Sequence, residues 1–155
     1  MADMLIKLYD LPPAQPLAPG LVVRKPIGPE HRELIAWIEQ RFGTAWAGEA
    51  EVALANRPVT LLIAQQDEGA PLGFAAYDAT ARGMLGPIGV ADDARRLGTG
   101  AALLQAALAD MRAAGYAYAV AGAVGPAEFF QRVAGAVEIP GSAPGIYRGR
   151  IRRPT

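Results

Sequence analysis

Arg95-Arg96-Leu97-Gly98-Thr99-Gly100 stands between an apolar run at residues 84–90 and a small-residue helical pattern that is expected to begin at Gly100. Two glycines one residue apart let the backbone approach a bulky anion with no side chain in between. The amides that open a helix carry partial positive charge, and Arg95 and Arg96 add countercharge beside them. The hexapeptide is therefore expected to hold a pyrophosphate. Two familiar phosphate motifs do not fit it. A mononucleotide loop ends in Gly-Lys-Ser/Thr, a tripeptide absent from the chain, and a dinucleotide fingerprint needs Gly or Ala where Leu103 stands.

Downstream, Leu103, Leu104, Ala107, Leu108 and Met111 fall on one helical face, and Gly115 suits a C-terminal cap. A strand at 118–121 and a short helix at 126–133 follow, with two more strands or extended segments expected after them. Upstream, residues 5–9 read as a short strand, an expected edge addition, followed by a proline-rich connector that neither helix nor central strand tolerates. Residues 21–24 are β-like, and Pro29 stands at a helix start with Leu34, Ile35, Ile38 and Phe42 at helical spacing. A second helix over 46–56 is stopped by Pro58, and strands at 60–64 and 72–77 form a hairpin across a turn-prone Asp67-Glu68-Gly69. From residue 21 the order is βααβββαβαβ, which implies an α/β fold with a mixed sheet and helices on both faces. The chain divides into a strand and connector at 1–20, one domain at 21–151 and a tail at 152–155.

A length of 155 residues with 52% hydrophobic content suits a single domain with a substantial core. Lys and Arg number 15 against 15 Asp and Glu, so no basic field argues for nucleic acid or an anionic membrane as partner. The basic ending Arg148, Arg150, Arg152, Arg153 reads as a solvated tail. The absence of cysteine excludes disulfides, thiolate metal sites and a thiol nucleophile, and agrees with a reducing compartment. The N-terminus is too short and too interrupted by charge for a signal or membrane span, so a cytoplasmic location is expected. His31 stands alone, and no metal site is expected.

Arg95, Gly98 and Gly100, followed by Ala101-Ala102-Leu103-Leu104, match the Arg-x-x-Gly-x-Gly signature of the GNAT acetyltransferases, and the chain resembles that family over about residues 21–151. Ile88-Gly89-Val90 stands where the family's central strand ends, and Gly125-Pro126-Ala127-Glu128-Phe129-Phe130-Gln131-Arg132 resembles its second cofactor segment. The resemblance implies a splayed central sheet and direct transfer of an acetyl group from acetyl-CoA, as cosubstrate, to an amine acceptor. It implies cofactor contacts at Val90, Arg95, Arg96, Leu97, Gly98, Thr99, Gly100, Ala101 and Phe130, with a backbone amide at or near Val90 as oxyanion donor. The first two helices would border the acceptor. Homodimers are common in the family, and residues 5–9 would offer an edge for one.

The proton chemistry departs from the family. Its frequent general acid is a tyrosine at the second aromatic of a Phe-Tyr pair, where this chain has Phe130, which cannot donate a proton. Tyr147, Tyr118 and Tyr116 are substitutes, or else packing residues. The strand at 84–90 holds no carboxylate, and Asp78 is the nearest alternative base, at a pocket mouth by strand alternation or in a strand-end turn. Asp92 and Asp93 would repel phosphate and are expected to cap or orient the loop. Trp37, Trp46 and Tyr77 line an aromatic acceptor pocket or pack in the core. The alternative function is a non-catalytic acyl-CoA-binding sensor or assembly subunit; a nucleotide-binding module has the missing loop lysine against it.

Overall fold

Side-chain alternation in the two central strands decides the layering. In β3 (Leu61–Gln66), Leu61 and Ile63 face one way and Leu62 and Ala64 the other; in β4 (Pro71–Tyr77), Phe74 and Ala76 oppose Ala75 and Tyr77. All of these are buried, and a sheet apolar on both faces has to be covered on both. The computed structural model describes residues 1–154, apart from the side chains of Arg95 and Arg96. In it, α1 (His31–Phe42) and α2 (Thr44–Ala55) cover the face of Phe74, while α3 (Thr99–Ala113) and α4 (Ala127–Ala134) cover that of Tyr77. Leu103, Leu104, Leu108 and Met111 of α3 are wholly buried, each worth about 1.5–3 kcal/mol of transfer free energy.

The remaining strands are β1 (Met4–Lys7), β2 (Leu21–Arg24), β5 (Met84–Val90), β6 (Tyr118–Ala121) and β7 (Val137–Glu138). The sheet order is β2-β3-β4-β5-β6-β1-β7, antiparallel throughout except for the parallel β5–β6 pair. This is the expected mixed sheet with helices on both faces.

Several local expectations need correction. β1 is not an edge: Leu5 pairs with Val120 on one side and Val137 on the other, so the edge that residues 5–9 would present to a second copy is already paired. Met4 and Ile6 of this inner strand are buried in the core that α3 covers. Helix α3 starts at Thr99 rather than Gly100, because Gly98 takes the left-handed turn (φ 70°) that closes the 3-10 stretch Asp92–Leu97. Ala91, not an aspartate, is the cap residue of that stretch; Asp92 and Asp93 lie exposed in its first turn. Pro29 sits in a 3-10 turn, Gly28–Glu30, ahead of α1. Among the described residues after α4, one strand, β7, and a 3-10 turn, Gly145–Tyr147, form. Gly141 and Gly145, at φ 71° and 68°, cannot continue a ladder.

Glu30 ties the start of the α1 layer to the sheet. Arg24 donates to both its carboxylate oxygens at 2.8 and 2.7 Å, and the Ile27 amide donates to one of them at 2.8 Å. The Arg24 hydrogen bonds first, then the Ile27 amide, hold the Glu30 carboxyl down to about 2, from an ordinary 4.5. A depressed folded-state value means that this stabilisation is fully present above pH 4.5 and is lost as pH falls towards 2. Glu30→Gln is therefore expected to flatten the acid limb of stability in that window, as followed by urea denaturation across pH. Both side chains are one-third exposed (33% each), so the loss should stay below about 1 kcal/mol.

Candidate functional site

Strands β5 and β6 pair only at Met84 with Val120 and Leu85 with Ala121, and then diverge. Gly86 has a positive φ (123°), Pro87 has no amide to offer a ladder, and the β4–β5 register shifts between Ala75 and Tyr77. A cleft of about 1210 Å³ occupies the splay. At its inner wall the Ala91 amide donates to the Leu72 carbonyl at 2.8 Å, towards β4. Strand alternation turns the preceding amide, that of Val90, the opposite way and into the splay. Val90 lines the cleft.

The N-terminus of α3 opens onto the same space through Gly98, Gly100 and Ala101. The Ala102 amide donates to the Gly98 carbonyl at 3.0 Å; the amides of Gly100 and Ala101 come before that bond, and no side chain among the described residues caps them. A Cβ at Gly100 would lie 3.6 Å from both Phe129 Cζ and Val90 Cγ2, so the glycine forms part of the cleft floor. Phe129 and Phe130 line the wall, their rings perpendicular at 5.3 Å. Thr99 is wholly buried and its hydroxyl donates to the Ala94 carbonyl at 3.0 Å, so its side chain braces the turn rather than facing the cleft. Leu97 is half-buried and is not among the cleft's walls. The side chains of Arg95 and Arg96 lie outside the described residues.

Of the groups expected to move protons, few reach the cleft. Asp78 adopts a positive φ (53°) and accepts the Gly83 amide at 2.7 Å and the Tyr116 hydroxyl at 2.6 Å. It is a turn carboxylate and lines no part of the cleft, so the pocket-mouth placement by strand alternation fails where the left-handed residue ends the strand. Tyr116 is committed to Asp78, with its phenol pushed up by burial and then by that hydrogen bond. Tyr118 is exposed and pairs edge-on with Tyr9 at 5.6 Å. Tyr147 alone of the three reaches the cleft, its hydroxyl 3.3 Å from where a Cβ at Gly122 would stand.

The aromatic candidates separate in the same way. Tyr77 is buried on the α3 face, where its hydroxyl donates to Asp110 at 2.7 Å; burial, then that bond, raises its phenol far above the ordinary range. Trp37 packs edge-on against Phe42 beneath Arg41 and lines no part of the cleft. Trp46 does line it, stacked on Phe42 at 5.3 Å. One turn further along α2, Glu49 also faces the cleft and accepts a short hydrogen bond from the Thr80 hydroxyl. Sequence reasoning missed Glu49, which reads as the solvated face of a helix; its spacing of three from Trp46 was the available signal. His31, the first residue of α1, does not line the cleft.

Solved structures share this architecture at low identity. The GCN5-related glucosamine N-acetyltransferase region of a fungal multi-domain GH3 beta-N-acetylglucosaminidase aligns at TM-score 0.71 and 16% identity over 89% of this chain. A GCN5-related N-acetyltransferase from Sphaerobacter thermophilus aligns at TM-score 0.69 and 22% identity, again over 89%. A Staphylococcus epidermidis protein described as functionally unknown gives 0.56 and 14% over 89%. The chain spans 19%, 48% and 57% of the lengths of those three proteins. No curated protein matches it. The splayed β5–β6 pair and the glycine-rich turn into α3 both fall within residues 28–135, which match the model of the acetyltransferase (GNAT) family, so the chain belongs to that family.

Proposed function

We propose that the protein transfers an acetyl group from acetyl-CoA directly to an amine acceptor. The observation that carries this is the continuity of one cleft from the uncapped amides of Gly100 and Ala101 to the Val90 amide in the β5–β6 splay. The cleft, at about 1210 Å³, has room for a pantetheine arm and a small acceptor together. Its donor set at the α3 end is main-chain N–H groups, the chemistry that a diphosphate requires.

In this reading the amides around Gly98, Gly100 and Ala101 take the diphosphate, and the Arg95 and Arg96 guanidinium groups add countercharge. Acetyl-CoA, when bound, supplies the activated thioester. The Val90 amide is aimed at the developing negative charge on the acyl oxygen, and Phe130 packs against the bound arm and excludes water. Tyr147 is the phenol available to carry a proton to the departing sulfur.

The expected result is thiol release from acetyl-CoA in the presence of a panel of primary amines, with turnover on the order of 1 s⁻¹ or faster for the best of them. Tight coenzyme A binding with no turnover on any amine would overturn the reading. It would favour a non-catalytic acyl-CoA-binding protein, the alternative for which Phe130 speaks, since it carries no proton.

A further inference from the structure

Resting on the acetyl-transfer reading, we infer that Glu49 is the carboxylate that receives a cationic primary amine, takes its proton and so selects the acceptor class. Among the described residues that line the cleft, Glu49 is the one carboxylate. The arginines of the lining, Arg132 and Arg150, come from α4 and the C-terminal segment, whereas Glu49 comes from α2. The walls therefore differ in sign, and a cation entering the cleft is favoured on the α2 side.

The surroundings of Glu49 suit an ammonium on an apolar body. Thr80 donates to one oxygen, Oε1, which fixes the carboxylate plane, and the other oxygen has no protein partner among the described residues. Trp46, Ala45, Ala79 and Pro87 line the cleft with it, and an indole beside a carboxylate attracts a cation as well as apolar carbon. Glu49 and Thr80 are both only half-buried, so the carboxylate keeps a path along which to pass its proton to water.

The step balances as follows. The ammonium gives one proton to Glu49, and the freed nitrogen lone pair forms the N–C bond to the acyl carbon. The C–S bond breaks, and the electron pair leaves on sulfur. The second amine proton ends on the thiol, and Glu49 releases the first to solvent, leaving amide, thiol and one proton.

The test uses two isomeric amines of equal size. In 2-phenylethylamine the nitrogen is charged at neutral pH; in 4-ethylaniline it is not. Glu49→Gln should lower kcat/KM for 2-phenylethylamine by about a hundredfold or more and for 4-ethylaniline by less than about fivefold. Coenzyme A binding by calorimetry should stay within about twofold, since Glu49 stands on α2 and the proposed diphosphate donors are main-chain amides of α3. Binding of 2-phenylethylamine to the coenzyme-A-loaded protein, read without turnover, should be lost in Glu49→Gln and retained in Thr80→Val, which keeps the charge. Equal losses on both amines, or undiminished binding in Glu49→Gln, would overturn the role of Glu49 while leaving acetyl transfer intact. Wild-type protein that binds 2-phenylethylamine through Glu49 yet turns over no amine would overturn the acetyl-transfer reading instead.

Discussion

Gly73→Ala is expected to destabilise the protein by about 3 kcal/mol, the upper end of ordinary overpacking. An added Cβ would stand 2.7 Å from the Gly89 carbonyl oxygen, 2.9 Å from Leu103 Cδ1 and 3.3 Å from Val90 Cα. The leucine tip can move, but the two nearest atoms of β5 are backbone. They can yield only if β4 and β5 separate, which strains the ladder pairing Gly73 with Val90 and Phe74 with Gly89. Urea denaturation should show the midpoint falling by at least about 1 M for an m-value of about 1–3 kcal/mol/M. A midpoint unchanged to within about 0.3 M would mean that the two strands are not held this closely. The same displacement moves Val90, so any surviving folded fraction should also be impaired in acyl transfer. Stability and the proposed acyl transfer meet at this glycine because the close β4–β5 contact lies beside Val90, which lines the cleft.

Which parts of this arrangement could be read from the residues follows from how local each signal is. The face of α3 through Leu103, Leu104, Ala107, Leu108 and Met111 is a periodicity within one helix, and the strand Met84–Val90 is a bounded apolar run; both stand as expected. Gly98, before α3, needed no partner to be recognised, since it takes a conformation that few other residues tolerate. Pairing is a different kind of information. Residues 5–9 carry the composition of a short strand whether they lie at an edge or between β6 and β7, and only the partners on either side distinguish the cases.

Carboxylates were the hardest residues to place, for the same reason. For Asp78, strand alternation points to a pocket mouth and strand-end chemistry to a turn; the left-handed backbone just beyond Tyr77 decides for the turn, where Asp78 meets Gly83 and Tyr116. Glu49 lies on a helix whose other inward positions are alanines and a leucine, and its neighbour Thr80 is 31 positions away in sequence. A site assembled from α2, the turn after β4, β5 and the C-terminal segment has no contiguous signature. The glycine-rich turn into α3 has one because a single stretch of backbone carries it.

Gly100→Leu is expected to move affinity and stability in opposite directions, which few substitutions in a binding site do. The first carbon of a new side chain fits, at 3.6 Å from Phe129 Cζ and Val90 Cγ2, both ordinary contacts. Gly100 is helical, so replacing glycine by a strong helix former in the first turn of α3 should leave stability unchanged or raise it by about 0.5–1 kcal/mol. The rest of the leucine has nowhere to go but the cleft, where it would keep a diphosphate from closing on the amides of Gly100 and Ala101. Coenzyme A affinity by calorimetry should fall by about a hundredfold, close to 2.7 kcal/mol, with Gly100→Ala between that variant and the wild type. Lost affinity accompanied by a lowered urea midpoint would trace the effect to the fold rather than the grip. Affinity held within about threefold in a stable variant would place the diphosphate elsewhere and remove the main support for acyl-CoA chemistry at this cleft.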